Sequence, residues 1–530
     1  MERRDFLALT ASVAGLAVTG CSPAQPPGSR APGAVSPAAR PHPELEEVTI
    51  AELAARLARG ELTSRALVAA YAERIEAIDR AGPALRSVLE LNPDADAIAA
   101  QLDDERRSKG PRGPLHGIPV LLKDNIDTGD RMQTTAGSLA LLGTPARRDS
   151  GVAARLRAAG AILLGKTNLS EWANIRSTRS TSGWSARGGL TRNPYALDRN
   201  ASGSSSGSAV AVAASLTAIA VGSETDGSIV SPSSICGVVG LKPTVGLLSG
   251  AGIIPISHTQ DTAGPMARTV ADVALLLGAL AGRDYSKSLD PAGLRGARLG
   301  VLKDESFQIT AAVMAAFDGA VAELQRLGAT VVPVTLPSLA QLGEPENEVL
   351  TVELKADMAS YLATRGVPGI ATLADLIAFD RAHADREMPW FGQELFEKAL
   401  AKGGLDSPSY LEALARCRRL SRDEGIDALL AAQKLDAVVA PTGGPAWVTD
   451  LVVGDDFSGS SSTLAAVAGY PSITVPGGFF QGLPLGISLF ASANAEATLL
   501  RLAFAYEQGT RHRRPPQYLR TLPLEEQPRG

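Results

Sequence analysis

The chain has 530 residues, 45% of them hydrophobic, enough for one large α/β domain or several smaller ones. Its 51 basic and 56 acidic side chains leave a net charge of −5 with no basic stripe, which argues against a nucleic-acid partner. Three cysteines (Cys21, Cys236, Cys417) form no CxxC pair and five histidines no HExxH pattern, which argues against a zinc centre or a disulfide scaffold.

In chain order, MERRDFLALTASVAGLAVTGC (1–21) has a basic start, an apolar stretch and small residues before Cys21. That is the shape of an export signal, with Arg3-Arg4 resembling a twin-arginine motif and Val18–Cys21 a lipobox in which Cys21 carries lipid. The apolar run is shorter than the roughly 20 residues a spanning helix needs, so an uncleaved anchor is the less favoured outcome. The expected location is the periplasm or outer membrane of a Gram-negative cell, or a cell surface. The membrane is met only through this N-terminal segment. Residues 22–46 are rich in Pro, Ala and Gly and read as a linker.

Order is expected from about Glu47. Thr49 and Glu52 make a capping box before IAELAARLARG, and Thr63 or Ser64 caps the next helix. Leu67, Tyr71, Ile75 and Ile78 recur at helical spacing and should face a core. GIPVLLKDNI (117–126) reads as a buried strand with Lys123 at its exit. Helix, glycine and strand follow in order over 151–168 and again over 309–334. LDAVVAPT (435–442) and PSITVPGG (471–478) read as further strands, and 340–434 as mainly helical. Strands alternating with helices predict one large α/β domain over 47–520, a central sheet covered by helices on both faces.

Two Gly/Ser stretches stand out: NASGSSSGSAVAVAASL (200–216) and GSETDGSIVSPSS (222–234). Such clusters are usually loops. A phosphate cradle is disfavoured, because neither GxxxxGK[ST] nor GxGxxG after a strand is present. A serine nucleophile needs a base within reach, and histidines are scarce. A lysine serves if burial keeps it neutral, and Lys123 follows an apolar run, although a strand-end lysine often snorkels to solvent.

Taken together, the ordered motifs GIPVLLKDNI, MQTTAGSLAL (132–141), KTNLSEWAN (166–174), NPYALDRNASGSSSGSAVAVAA (193–214), GSETDGSIVSPSSICGVVGLKPTVGLLS (222–249), IPISHTQDTAGPMARTVADVALLL (254–277) and AGYPSITVPGG (468–478) resemble the amidase signature family. The resemblance implies a mixed central sheet and a Ser–Ser–Lys triad with Ser228 as nucleophile, Ser204 as bridge and Lys123 as base. It implies an oxyanion hole from the backbone N–H groups of Thr225, Asp226, Gly227 and Ser228, a cis bond at Gly203–Ser204, and no metal or cofactor. It also suggests that SEWAN, with Trp172 and Asn174, and SHTQ, with Ser257 and His258, approach the substrate. Two stretches depart from the usual wording: SGSSSG (202–207) for GGSSGG, and DGS (226–228) for GGS. The Asp226 carboxylate must therefore turn away from a forming oxyanion. The DGS wording resembles the subgroup with bacterial peptide amidases, implying hydrolysis of peptide C-terminal amides. The alternatives are small aliphatic or aryl amides, a glutamine-hydrolysing amidotransferase subunit, or a non-catalytic exported binding lipoprotein.

Overall fold

A computed structural model describes residues 40–523. The signal, Cys21 and the linker up to residue 39 lie outside the described residues. Eleven strands form one sheet: β1 (Val88–Leu91), β2 (Pro119–Lys123), β3 (Ile162–Thr167), β4 (Ile219–Glu224), β5 (Val239–Lys242), β6 (Thr262–Ala267), β7 (Arg298–Leu302), β8 (Thr330–Val334), β9 (Ala437–Pro441), β10 (Ser472–Phe480) and β11 (Leu483–Phe490). Their order across the sheet is β1-β3-β2-β4-β6-β5-β10-β11-β9-β7-β8. β2 runs parallel to both β3 and β4, and β7 parallel to β8 and β9; the middle of the sheet is antiparallel. The sheet is mixed, as the family resemblance implies.

Its two faces are both covered, which is why its strands read as continuous apolar runs rather than alternating ones. In β9, Ala437 and Val439 join the main core, while Val438 and Ala440 point to a second core formed with Val349, Tyr410 and Leu464. All five residues of β2 and all six of β3 and β4 are buried. Helices Ser206–Ala213, Val270–Ala281 and Glu496–Thr510 supply further residues of the main core.

The local signals hold. Thr49 and Glu52 form the capping box, the Thr63 side chain accepts from the N–H of Ala66, and Leu67, Tyr71, Ile75 and Ile78 are buried. The helices between Gly343 and Gln433 form the expected helical region. Order reaches further back than Glu47. Leu45 is buried, and Arg74, itself buried, donates to the carbonyls of Pro41 (2.7 Å) and His42 (3.0 Å). A buried guanidinium needs acceptors, and the end of the linker supplies them. Among the described residues no helix is long and apolar enough to cross a membrane.

Candidate active site

β2 carries Lys123 at its C-terminal end, and the parallel register with β4 pairs Leu122 with Val221. That brings Lys123 alongside Ser223. The Lys123 ammonium is fully buried; Nζ donates to Ser204 Oγ (2.7 Å), Ser223 Oγ (3.0 Å) and the Ser223 carbonyl (3.1 Å). Burial pushes its pKa down from 10.5 to about 7, against the pull of the Asp261 and Glu224 carboxylates. The geometry also orients the neutral amine. Two N–H bonds are taken up by the acceptors on Ser223, which leaves the nitrogen lone pair facing Ser204 Oγ.

Ser204 sits in a turn just before helix Ser206–Ala213, and the Gly203–Ser204 bond is cis. Gly203 is required by space: a Cβ there would lie 2.1 Å from Ser170 Oγ. Two bonds fasten this turn to the 228–231 segment. The N–H of Ser205 donates to the Ser228 carbonyl (3.1 Å), and the Ser202 and Ser231 hydroxyls are 2.8 Å apart.

Ser228 follows β4 and precedes the short helix Val230–Ile235. It lines a cleft of about 310 Å³ with Asn174, Ser202, Asp226, Asp455 and Phe457. Lys123 and Ser204 lie fully buried outside that lining. Among the described residues no side-chain hydrogen bond joins Ser204 to Ser228; the two are linked through the Ser205 backbone. The N–H groups of Asp226, Gly227 and Ser228, in the turn that precedes helix Val230–Ile235, find no acceptor among the described residues. Gly227 has φ +78°, and a Cβ there would meet Ser462 Oγ at 2.9 Å. The Asp226 carboxylate is turned aside: it accepts from Ser462 Oγ and from Thr463 Oγ1 (2.7 Å).

The four residues expected near the substrate divide. Asn174 lines the cleft, and its Oδ1 is buried without a partner among the described residues. Trp172 is core, packed edge-on against Phe396 at 5.7 Å. Ser257 and His258 do not line the cleft either. Ser257 Oγ donates to Glu353, and His258 bonds Asp357 (2.9 Å), because this segment is tied down to helix Gly343–Arg365. Sequence reasoning missed Ser223, whose Oγ also accepts from Asn125 (2.8 Å). It missed Asp261 too, which accepts from Thr225 Oγ1 (2.6 Å) and from the N–H groups of Ile256 and Ser257. And it missed the 455–463 wall of the cleft. Ser223 lay inside a quoted motif; the wall carried no signal beyond its glycines and serines.

The pattern of the family described as Amidase matches residues 66–500. The chain belongs to the amidase family. A probable amidase of Arabidopsis thaliana is 40% identical over 501 residues, 90% of this chain and 92% of the relative. A glutamyl-tRNA(Gln) amidotransferase subunit from Thermosynechococcus vestitus is 35% identical over 500 residues, 88% and 99% of the two chains. Among solved structures, native peptide amidase from Stenotrophomonas maltophilia is 53% identical, with a TM-score of 0.85, covering 89% of this chain and 98% of its own. The fold is the amidase fold and the enzyme is an amide hydrolase.

Proposed function

We propose that this amidase removes the C-terminal amide of peptides, with Ser228 as nucleophile, Ser204 as proton relay and Lys123 as base. The observation that carries the reading is a buried Lys123 amine with depressed proton affinity, 2.7 Å from Ser204 Oγ, beside a cleft lined by Ser228. Ser228 Oγ attacks the carboxamide carbon while its proton passes to Ser204 and the proton of Ser204 passes to Lys123. The carbonyl electron pair moves to oxygen, where the free N–H groups of the 225–228 turn stabilise it. As the C–N bond breaks, protonated Lys123 returns a proton through Ser204 to the leaving NH₂, and ammonia departs. Water then hydrolyses the Ser228 ester by the same relay and releases the peptide acid.

The likeness to a peptide amidase supports the substrate class. The likeness to an amidotransferase component supports a second reading, glutamine hydrolysis. An ammonia-release assay with amidated peptides, glutamine and acetamide in parallel separates them. Turnover of amidated peptides with the internal peptide bonds intact is the expected result; turnover of glutamine or small amides alone contradicts the substrate reading.

We further propose twin-arginine export and lipidation at Cys21, resting on the signal and lipobox of the N-terminus. Arg3→Lys with Arg4→Lys should trap precursor in the cytoplasm, and Cys21→Ala should release the protein from membranes. Normal processing of the arginine variant counts against the twin-arginine route.

A further inference from the structure

The loop that walls the cleft carries side chains its own packing does not use. Val448, Val452, Val453 and Phe457 are exposed by 53%, 77%, 69% and 48% within ten residues. The loop is nonetheless firmly built. Asp450 Oδ1 accepts from the N–H groups of Val452 (2.8 Å) and Val453 (2.9 Å), and the N–H of Gly454 donates to the Asp450 carbonyl at 3.0 Å. Asp455 ties the far end down, accepting from the N–H of Ser182 (2.9 Å) and from Trp447 Nε1 (3.2 Å). Trp447 in turn packs edge-on against Phe457 at 5.5 Å. Fixed, clustered, solvent-facing apolar side chains mark a binding surface. This one is continuous with the cleft, because Asp455 and Phe457 line both.

We infer that loop 448–457 is the docking surface for apolar residues upstream of the terminal amide of a peptide substrate. The inference rests on the peptide-amide reading above and names the determinant of its selectivity. Charge supports a peptide as the occupant. Asp450 and Asp456 are exposed on the loop. An amidated peptide has no C-terminal carboxylate and keeps a positive amino end, so its charge complements the loop. The product acid gains a negative charge and is held less well. An anionic lipid surface would be repelled by the same carboxylates.

The test compares kcat/KM for amidated tripeptides with Leu or Ser at the residue preceding the terminal one, in wild-type enzyme and in Val452→Ser/Val453→Ser. Each comparison is a ratio within one enzyme, so partial loss of folded protein cancels. A near-isosteric Val452→Thr/Val453→Thr variant repeats the measurement with least disturbance of the loop. Wild type should prefer Leu, and the variants should lower the Leu/Ser ratio roughly tenfold, mainly through KM, since truncating apolar contacts in a binding surface has effects of this order. Peptide-amide turnover with an unchanged ratio overturns the role of the loop. So does an unchanged ratio accompanied by loss of binding to phosphatidylcholine vesicles, or by loss of self-association in sedimentation, because either assigns the loop to another occupant. A wild-type enzyme that turns over only small amides or glutamine instead overturns the peptide reading itself.

Discussion

Lowering the pH from 8 to 5 should cost the enzyme most of its activity without unfolding it. Lys123 is held at about 7 by burial. With that value the amine is neutral in about nine molecules in ten at pH 8 and about one in a hundred at pH 5, so kcat/KM should fall roughly ninetyfold. The upper limb is the sharper discriminator. A lysine at its ordinary 10.5 would be neutral in only about one molecule in 300 at pH 8, and the rate would climb tenfold per unit beyond it. A lysine at about 7 gives a plateau from about pH 8. Initial rates of ammonia release from an amidated peptide between pH 5 and 10, with folding followed by circular dichroism, read both limbs. A rate that is flat to pH 5, or that still climbs tenfold per unit between 8 and 10, refutes the role of Lys123. Stability runs with it. The folded-state pKa is depressed, so the unfolded chain binds the extra proton between 7 and 10.5. The contribution of this residue is therefore best above 10.5 and is lost as pH falls to about 7. The cost below that is about 5 kcal/mol, the hydrogen bonds of the ammonium included. Lys123→Met should thus be inactive and melt no lower than wild type at pH 6.

Ser228→Ala should abolish turnover, Ser204→Ala should leave a residue of it, and the double variant should be no worse than Ser228→Ala, because members of one relay do not add; steady-state kinetics decide. Gly227→Ala meets both a positive φ and the Ser462 hydroxyl at 2.9 Å, so it should cost at least about 1–2 kcal/mol in denaturant melts and lower kcat through the displaced N–H donors. Arg176 is buried against Glu171 (2.9 Å), Asp380 and Glu387, and Arg176→Leu should cost about 3–5 kcal/mol in the same melts by leaving three carboxyls without a cation. Burial and the neighbouring Glu387 push Asp380 up to about 7. A raised carboxyl favours the folded state most at low pH and loses that advantage as pH rises through about 7, so Asp380→Asn should flatten the decline of melting temperature between pH 5 and 8.

The sheet was legible because its strands are buried on both faces and bounded by Pro and Gly, and Lys123 fell at the end of one of them as expected. Ser223 was not, although it stands in the quoted GSETDGS. Whether it meets Lys123 depends on the register of β2 against β4, which is a long-range property no local pattern encodes. Trp172, Ser257 and His258 illustrate the opposite limit. A motif places residues in sequence near a site, but the packing of a distant helix decides which way they face: Trp172 goes to Phe396, and the 257–259 turn to Glu353 on helix Gly343–Arg365. The wall at 455–463 lies over 200 residues from Ser228 in sequence and joins its segment where Ser462 and Thr463 bond the Asp226 carboxylate. The docked end of the linker was hidden because most of what it offers Arg74 is backbone: the carbonyls of Pro41 and His42 accept its hydrogen bonds, with the Glu46 carboxylate 3.6 Å away.

The most direct test is mass spectrometry of wild-type enzyme quenched during turnover of an amidated peptide. The peptide should gain about one mass unit as its terminal NH₂ becomes OH, and digestion should find the acyl group on Ser228. An unaltered amide, cleavage at an internal bond, or acylation of Ser204 or another serine would contradict the account.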